Sequence, residues 1–358
     1  MFSNKNGTGT ERRHEVDPAS FPAGVIGLGM MGVSITACLL AAGHSVVGVT
    51  RNLEGRSGVA QELKGLLRQM VKQGLLRKDP ALLLKRFHAT EDFRALRECK
   101  IVIESIVESA ADKKAALRNV EEVVSAETII GTNTSAIPVT IFQEGASVPE
   151  RILGIHWAEP AHVTRFMEII CGRASSLQSA ELVVALARHW GKEPSLLRKD
   201  IRGFITNRLA YALFREAFHL VESGYATIED VDRSMRNDLG YWITFAGPFR
   251  FMDLTGIPAY ASVMKDLWPE LSNATEVPDL IKKVVDAGGR GTANHRGFYN
   301  YTPEQAKRWE QLFLKFTYEI RALALKYPED IGDRASKPQK PARRSAKSSR
   351  TRALTGSS

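Results

Sequence analysis

Cysteine is scarce in this 358-residue sequence, which contains three: Cys38, Cys99 and Cys171. No two of them form a CxxC pair, so neither a disulfide framework nor a cysteine-rich zinc site is expected, and we predict no bound metal. Free thiols are typical of a reducing compartment. The sequence therefore favours a cytoplasmic protein.

Long apolar runs are also missing. No run approaches the ~20 residues that a membrane-spanning helix requires, and residues 1–20 lack the apolar segment of a secretory leader. We therefore expect no membrane association and predict a disordered N-terminal segment over 1–20. Hydrophobic residues still make up 44% of the chain, which is enough for a large folded core.

Acidic residues are too few to balance the basic ones, and the net charge is +9. The excess is local, because residues 333–358 carry eight Lys or Arg and one Asp and so account for +7 of it. This segment has no periodic apolar residues, and we predict a disordered basic tail over 331–358. The rest of the chain is nearly neutral, so nucleic acid is not the expected partner, although the tail could contact RNA or acidic surfaces.

Short apolar segments alternate with amphipathic ones in the first 200 residues. The apolar segments are β-branched and lack a polar face, as buried parallel strands do. Helices with one apolar face lie between them, for example over 57–73 and 110–124. The alternation predicts a doubly wound Rossmann-type α/β domain over 21–200. The predicted strands are 23–27, 45–50, 100–105, 128–133 and 152–156.

The pattern changes after residue 200, where apolar residues recur at helical spacing and strand-like runs disappear. A long helix is predicted over 204–222, with Phe204 and Leu209 on its apolar face. Another begins at Pro303, a residue favoured in a first turn, and reaches Lys326. We therefore predict an all-α C-terminal domain over 201–330. Its shorter helices are predicted over 227–236, 246–255, 258–267 and 277–286.

A glycine pattern, GxGxxG, follows the first strand and opens a helix. Gly27 permits a tight turn, Gly29 lets a pyrophosphate approach backbone N–H groups, and Gly32 lets the helix pack on the strand. The N-terminus of the helix then stabilises the phosphate charge. A purely structural glycine turn is the weaker alternative. The predicted dinucleotide-binding residues of this turn are Gly27, Leu28, Gly29, Met30, Met31 and Gly32.

The end of the second strand bears on the choice of dinucleotide. An acidic residue that binds the ribose hydroxyls of NAD is common there, but this sequence has Thr50 followed by Arg51. Arg51 could accept the 2′-phosphate of NADP, and we expect no carboxylate to repel that phosphate. It could equally stack on adenine while NAD is used. We predict NAD or NADP as the cofactor.

The segment ILGIHWAEPAHVTRFMEII, residues 152–170, contains a carboxylate in an apolar run. Two strands joined by its polar loop would bring His156 beside Glu168. A buried carboxylate would fix the imidazole tautomer and favour its protonated form, which suits a general base for an alcohol. A structural His–Glu pair remains the alternative from these residues alone.

Further polar residues are expected near this pair. A predicted strand ends at Asn133, and Ser135 comes just after it, at the sheet edge where open α/β domains bind ligands. Asn207 lies in the first turn of the helix that links the predicted domains. A hydroxyl, an imidazole and an amide that converge at a domain junction indicate a substrate site.

Taken together, these motifs resemble the 3-hydroxyacyl-CoA dehydrogenase family over about residues 22–302. This group also includes dehydrogenases of small hydroxy acids, such as gulonate and carnitine, and a lens crystallin. The motifs that carry the resemblance are GLGMMG (27–32), IVESAADKK (106–114), TNTS (132–135), GIHWAEP (154–160), FMEII (166–170), GFITNRLA (203–210), GPFRFMDLTG (247–256) and RGFYNY (296–301).

The resemblance implies reversible hydride transfer between NAD(P) and a 3-hydroxyacyl-CoA, and a homodimer formed through the helical domain. It implies that His156 is the catalytic base and Glu168 its orienting partner, with Ser135 and Asn207 holding substrate oxygens. Non-catalytic, crystallin-like use of the fold is the alternative, but a scaffold needs none of these four residues. Cofactor contacts are implied for Glu108, Lys113 and Asn133, beside Thr50 and Arg51.

Two features depart from the family pattern. Glu159 precedes Pro160 where the family has an Asn, which disfavours a substrate carboxylate nearby or requires a cationic partner such as Arg165. In the helix thought to bind CoA, Lys72 matches the family Lys approximately, and Leu66 lies near the family Ser. Glu159 and Lys72 are therefore predicted substrate residues, and a free 3-hydroxy acid remains an alternative to a CoA thioester.

Overall fold

The computed structural model describes residue 17 and residues 20–327. The predicted disordered segment over 1–20 falls almost wholly outside these residues, and so does the basic tail over 331–358. Among the described residues, no helix is long and apolar enough to cross a membrane.

The first half of the chain forms one eight-stranded sheet with strand order β3-β2-β1-β4-β5-β6-β7-β8. Strands β1 to β6 are parallel, β7 is antiparallel to β6, and β8 runs parallel to β7. The carboxyl ends of the six parallel strands therefore meet at one edge. The strands are β1 (Ala23–Ile26), β2 (Val46–Val49), β3 (Phe87–Thr90), β4 (Ile101–Glu104), β5 (Ile129–Thr132), β6 (Ile152–Trp157), β7 (Phe166–Cys171) and β8 (Glu193–Leu197).

Helices cover both faces of this sheet and bury two apolar clusters. On one face lie α1, α2, α3 and α6, and their buried residues include Leu63 and Leu67 of α2 and Val183 of α6. On the other face lie α4 and α5, which contribute Leu117, Val120 and Phe142. The six helices are α1 (Met30–Ala42), α2 (Val59–Lys72), α3 (Pro80–Leu84), α4 (Ala110–Glu121), α5 (Thr140–Gln143) and α6 (Leu177–His189).

The two edge strands, β3 and β8, are absent from the prediction. Both are only partly buried, and β8 contains Pro194, which cannot donate a ladder hydrogen bond and is tolerated at a sheet edge. Their patterns are therefore weaker than those of the fully buried central strands. The predicted doubly wound fold is confirmed by the sheet order and by its flanking helices.

The second half of the described chain consists of helices, as predicted. The helix predicted over 204–222 starts later than expected, at Thr206, because Phe204 has a left-handed backbone with φ 53° and lies in the preceding turn. The helices are α7 (Thr206–Glu222), α8 (Ile228–Asn237), α9 (Leu239–Ile243), α10 (Gly247–Thr255), α11 (Ile257–Leu267), α12 (Asp279–Asp286) and α13 (Pro303–Ala324).

Apolar side chains of the helical half are largely exposed. No residue of α7 to α12 is buried, and Leu209, predicted to face a core, is 61% exposed. The last helix, α13, returns to the first half, where Arg321 donates to the carbonyl of Val163 at 2.8 Å. The helical half thus contacts the sheet domain at the start of α7 and at Arg321 of α13, while many of its apolar side chains remain exposed among the residues that the structure describes.

Candidate active site

A cleft of about 1070 Å³ lies at the carboxyl ends of the parallel strands. This is the sheet edge where doubly wound domains bind dinucleotides. The structure brings most of the predicted site residues to it and leaves Gly32, Lys72, Lys113 and Glu168 outside its lining. The predicted residues that line the cleft are Gly27, Leu28, Gly29, Met30, Met31, Thr50, Arg51, Glu108, Asn133, Ser135, His156, Glu159 and Asn207.

The glycine turn between β1 and α1 is shaped for close approach of a phosphate. Gly27 has φ 90°, a left-handed conformation that favours glycine. A Cβ on Gly29 would meet nothing within 4 Å, so the backbone there faces open space, and no side chain caps the N-terminus of α1. A Cβ on Gly32 would lie 1.7 Å from the carbonyl oxygen of Gly27, so that glycine permits the close contact between helix and turn. These features fit a pyrophosphate bound at the start of α1.

The adenosine end of the cleft contains a carboxylate that was not expected. Thr50 and Arg51 line it, as predicted, but Glu91 lines it too. The Glu91 carboxylate accepts the N–H of Leu53 at 2.7 Å, which fixes it beside the loop that follows β2. The expectation that no carboxylate would repel a 2′-phosphate is therefore wrong, because Glu91 lines the cleft together with Thr50 and Arg51. Glu91 was missed because β3, which it follows, was missed.

His156 and Glu168 face each other across β6 and β7, as predicted. They are paired residues in the antiparallel ladder, and His156 Nδ1 lies 2.9 Å from Glu168 Oε2. Since an ionised carboxylate only accepts hydrogen bonds, Nδ1 carries the proton and Nε2 of the neutral ring is left as an acceptor. The His156 side chain is 10% exposed, and the residue lines the cleft. The geometry is that of an oriented general base.

The second oxygen of Glu168 binds the start of α7. Oε1 accepts the backbone N–H groups of Ile205 at 3.0 Å and Thr206 at 2.9 Å. Burial would raise the pKa of Glu168, but the bonds from His156 and from these two amides outweigh it, so the pKa lies below its ordinary value. These hydrogen bonds compensate the charge of the buried Glu168. Through them Glu168 links the imidazole of His156 to the start of α7, where the two halves of the chain meet.

Two aromatic rings hold the imidazole from the sides. The ring of Phe166 contacts His156 edge-on with centroids 5.3 Å apart, and that of Phe204 lies 5.6 Å away. Phe204 is 1% exposed and combines full burial with a left-handed backbone that is uncommon for a bulky residue. Backbone strain of this kind concentrates at functional sites. The ring is a support for His156 that the helical pattern did not reveal.

Ser135 and Asn207 meet at the same end of the cleft. Asn207 Nδ2 donates to the backbone carbonyl of Ser135 at 2.6 Å, and both residues line the cleft. Glu108 fixes the Ser135 loop, because it accepts the Thr134 hydroxyl at 2.5 Å and the Ser135 N–H at 2.8 Å. Burial alone would raise the pKa of Glu108, and these donors together with Lys113 lower it.

Lys113 does not reach the cleft. Its side chain is fully buried and its ammonium lies 2.8 Å from Glu104 and 3.4 Å from Glu108. Glu104, also fully buried, accepts in addition the Thr132 hydroxyl at 2.6 Å and the Ile106 N–H at 2.7 Å. The ammonium of Lys113 is therefore paired with two carboxylates of the protein and does not line the cleft, where the direct cofactor contact was expected. Lys113 instead stabilises Glu108, which does line the cleft. Glu104 was missed because a carboxylate that ends a strand gives no periodic signal.

Asn133 acts as a clamp at the sheet edge. Its Oδ1 accepts the N–H of Trp157 at 2.9 Å and its Nδ2 donates to the Ser105 hydroxyl at 3.2 Å. Asn133 therefore joins the ends of β4 and β6, which lie on either side of β5. Asn133 also lines the cleft. Both polar ends of the amide are used by the protein, so any contact with a cofactor is additional to this structural role.

The two substrate residues that depart from the family pattern, Glu159 and Lys72, lie in different places. Glu159 lines the cleft, but Arg165, the suggested cationic partner, pairs instead with Glu193 at 2.6 Å. Lys72 is exposed in the last turn of α2, away from the cleft lining, so its predicted contact with CoA has no support in this geometry. Among residues 20–327, no group of three or more His, Cys, Asp or Glu side chains is arranged to hold a metal ion.

The chain belongs to the 3-hydroxyacyl-CoA dehydrogenase family. Residues 22–201 match the NAD binding domain of that family and residues 203–301 match its C-terminal domain. The family assignment from the sequence motifs is thereby confirmed. The chain is an oxidoreductase that acts on a CH–OH group with NAD or NADP.

Relatives of two kinds are similar to this chain. The 5-formyl-3-hydroxy-2-methylpyridine 4-carboxylate 5-dehydrogenase of Mesorhizobium japonicum is 32% identical over 79% of this chain and 91% of the relative. The 3-hydroxybutyryl-CoA dehydrogenase of Bradyrhizobium diazoefficiens is 30% identical over 78% of this chain and 94% of the relative.

Solved structures of both kinds share the fold. That of a 5-formyl-3-hydroxy-2-methylpyridine 4-carboxylic acid 5-dehydrogenase, described as an NAD⁺-dependent dismutase, has a TM-score of 0.80 at 29% identity and covers 86% of this chain and 99% of its own. That of the (S)-3-hydroxybutyryl-CoA dehydrogenase from Ralstonia eutropha has a TM-score of 0.65 at 28% identity and covers 79% of this chain and 100% of its own.

Proposed function

We propose that the chain transfers hydride reversibly between a 3-hydroxy substrate and NAD(P), with His156 as general base and Glu168 as its orienting partner. The observation that carries this proposal is the 2.9 Å contact between His156 Nδ1 and Glu168 Oε2 in a cleft that begins at the glycine turn. When bound, NAD(P)⁺ accepts the hydride from C3 of the substrate.

The residues of the chain handle the proton and the oxygen atoms. His156 Nε2 accepts the hydroxyl proton as the C3–O single bond becomes a carbonyl, so the alcohol loses one hydride and one proton. Glu168 stabilises the imidazolium that forms, because it accepts a hydrogen bond from Nδ1 throughout. Ser135 and Asn207, which line the same cleft as His156, hold the substrate oxygens. In the reverse direction the imidazolium returns the proton to the ketone oxygen.

The family name favours a 3-hydroxyacyl-CoA as substrate, and this is the first candidate. A second candidate is a compact free hydroxy acid. It is favoured because Lys72 lies away from the cleft, and because Leu66 lies near the position where the family has a serine that helps to hold CoA. It is favoured also by the relative from Mesorhizobium japonicum, whose name describes a pyridine carboxylate substrate.

A substrate panel tests the proposal. The purified protein is incubated with NADH or NADPH and with acetoacetyl-CoA or free 3-keto acids, and absorbance of the reduced nicotinamide is followed. Cofactor oxidation with acetoacetyl-CoA supports the thioester, and oxidation with free acids alone supports the compact substrate. Tight cofactor binding with no oxidation by any 3-keto compound would contradict the dehydrogenase proposal and favour a crystallin-like role.

We also propose a homodimer formed through the helical half and a cytoplasmic location. Support for the dimer comes from the exposed apolar residues of α7 to α13, among them Phe249 at 80% and Leu209 at 61%. Exposed apolar surface on this scale is typical of an association surface. Support for the location comes from the three free cysteines. Domain limits of 21–200 and 201–330 are proposed on the change from sheet to helices.

A further inference from the structure

The loop between β6 and β7, residues 158–165, begins and ends beside the imidazole of His156. His156 lies two residues before the loop. Phe166 follows the last loop residue, and its ring contacts the imidazole edge-on with centroids 5.3 Å apart. Ala158 and Glu159 line the cleft. The path of this loop therefore sets part of the cleft wall and the place of an aromatic ring that supports His156.

A buried lysine holds the backbone of this loop. Lys192 Nζ donates to the carbonyls of Ala161 and Thr164. Its ammonium also lies 5.0 Å from the centroid of the Trp157 ring, and the residue is 6% exposed. Hydrogen bonds from a cation are stronger than neutral ones. The buried charge of Lys192 is therefore used to fix loop carbonyls.

A second cation reaches the loop from the last helix. Arg321 of α13 donates through Nη1 to the carbonyl of Val163 at 2.8 Å and through Nη2 to that of Gly191 at 3.4 Å. Gly191 directly precedes Lys192 in the turn before β8. The guanidinium therefore joins the loop to the turn that carries the first cation.

The arginine is a costly way to anchor a helix. Its Nε is buried and has no hydrogen-bond partner among the described residues, and Tyr318, one turn earlier, is 7% exposed. A buried cation loses hydration that an apolar anchor would never have had. The Arg321 side chain instead places two donors on backbone carbonyls, which fixes orientation as well as contact.

The helix that carries Arg321 lies beyond the segment that matches the family. That match ends at residue 301, whereas α13 begins at Pro303. Resting on the proposed dehydrogenase function, we propose that Arg321 is a positioning residue, which fixes the loop 158–165 and through it the orientation of His156. The side chain itself is not part of the cleft lining, so it acts on the reaction through the loop alone.

Substitution of Arg321 tests this role in the complete protein. Arg321→Met keeps the length of the side chain and removes both hydrogen bonds. A displacement of about 1 Å in a catalytic site can lower the rate about 10²-fold, so we expect kcat to fall by about 10- to 100-fold. Affinity for NADH or NADPH should stay within about threefold of wild type, because the glycine turn is not part of this contact. Arg321→Lys keeps a cationic donor and should recover part of kcat.

A matched control lies on the same helix. Arg308 is exposed on α13, and Arg308→Met should leave kcat and cofactor affinity at their wild-type values. All variants are compared at a temperature where circular dichroism shows them to be folded. Should Arg321→Met fail to fold, Arg321→Gln, which retains one amide donor, carries the same measurements.

Hydrogen exchange measures the loop without any turnover. The N–H groups of Val163 and Thr164 donate to the carbonyl of Pro160 at 2.9 and 3.0 Å, so they are protected while the loop keeps its shape. Mass spectrometry of peptides from 157–166 follows this protection. We expect exchange about tenfold faster in Arg321→Met than in wild type, and no change in Arg308→Met.

The two measurements separate this inference from the proposed function. Wild-type kcat in folded Arg321→Met would overturn the positioning role even if the variant unfolds at a lower temperature, since a helix anchor alone predicts that result. Unchanged exchange in the loop would overturn it whether or not any substrate is oxidised. Faster exchange in Arg321→Met, together with a wild type that oxidises or reduces no substrate of the panel, would count against the dehydrogenase proposal alone.

Discussion

At the scale of single residues, three carboxylates near the cleft differ in burial and in how their charge is compensated, since Glu104 and Glu168 are buried and Glu159 is exposed. Glu168 has the imidazole of His156 and two backbone amides, and Glu104 has the ammonium of Lys113 and two further donors. Glu159 has none of these among the described residues. Burial of a charge is tolerated only with such partners. The difference in burial explains why the two buried carboxylates have several donors each, whereas the exposed Glu159 can be solvated by water.

Cofactor choice depends on Glu91 and Arg51. Glu91→Gln keeps an oxygen for the N–H of Leu53 and removes a negative charge from the cleft that Arg51 also lines. We expect the ratio of kcat/KM for NADP to that for NAD to rise about tenfold, since a charge near a phosphate contributes roughly 1 kcal/mol at partly exposed sites. Arg51→Ala should lower the same ratio. An unchanged ratio in both variants would show that neither side chain contacts the ribose end of the cofactor.

The buried imidazole of His162 should make the fold sensitive to acid. Its pKa is lowered from 6.5 to about 4 by burial and by Lys192, so between these values the unfolded chain binds a proton that the folded chain does not. The free energy of unfolding therefore falls as pH falls from 6.5, by about 3 kcal/mol at pH 4. Above pH 6.5 the group contributes no pH dependence.

Urea unfolding at several pH values measures this effect. His162→Gln lacks the titrating group, and its free energy of unfolding should change less between pH 6.5 and 4 than that of wild type. The Ser34 hydroxyl, which lies 2.8 Å from His162 Nδ1, can bond to the amide of the variant. Parallel pH profiles for the two proteins would remove the assignment of acid sensitivity to this ring.

At the scale of secondary-structure elements, the contact between α1 and the glycine turn decides whether a dinucleotide can bind. Gly32→Ala would place a Cβ 1.7 Å from the Gly27 carbonyl oxygen, and the helix would have to move. We expect a loss of stability of about 1–3 kcal/mol from overpacking and at least a tenfold weaker binding of NAD(P)H. Thermal unfolding and fluorescence titration measure the two effects.

A matched control lies on the next helix. A Cβ on Gly65 of α2 would meet nothing within 4 Å, and an alanine there replaces a residue of low helix propensity. Gly65→Ala should be neutral or stabilising by up to about 1 kcal/mol, with cofactor affinity unchanged. Similar cofactor affinities for the two variants would mean that the close contact at Gly32 has no part in binding.

The sequence predicted elements well where local pattern decided their structure. Central strands such as β4 and β5, buried on both faces, carry a continuous apolar signal and were predicted within one residue at each end. The pairing of His156 with Glu168 was predicted because strand register follows from a short connecting loop. Edge strands β3 and β8 were missed because exposure on one side removes that signal.

Contacts that depend on tertiary structure could not be predicted. Lys113 reads as a helix-surface lysine beside Lys114, and only the fold shows that it is buried against Glu104. Phe204 fits a helical face by spacing, but the two amides that bind Glu168 require a left-handed turn before α7. In both cases a distant partner, and not the local pattern, determines the side-chain position.

At the scale of the whole molecule, the helical half is unlike a self-contained domain. The helix α7, which is the longest of this half after α13, has no buried residue, although its apolar residues recur at helical spacing. A few hundred Å² of exposed apolar surface is the usual limit for a monomer. Twenty or more exposed large side chains, each offering roughly half its surface, exceed the ~800 Å² per partner of a standard interface.

Sedimentation of the purified protein tests the proposed dimer. We expect a dimer at micromolar concentration, and Phe249→Glu on α10 should weaken it by tenfold or more because it places a charge in an apolar contact. Lys307→Glu, on the exposed start of α13, is a control for added negative charge. A monomeric wild type at high concentration would contradict the proposed dimer.

The central claim is that His156 accepts the substrate proton while the glycine turn holds the cofactor. Single-turnover mixing of NAD(P)H-loaded protein with the best 3-keto substrate of the panel tests it directly, with wild type and His156→Gln compared. The account predicts cofactor affinity within about twofold of wild type and a rate of cofactor oxidation lower by roughly 10²–10⁴, the usual contribution of a general acid–base group. A rate close to that of wild type in the variant would contradict the account.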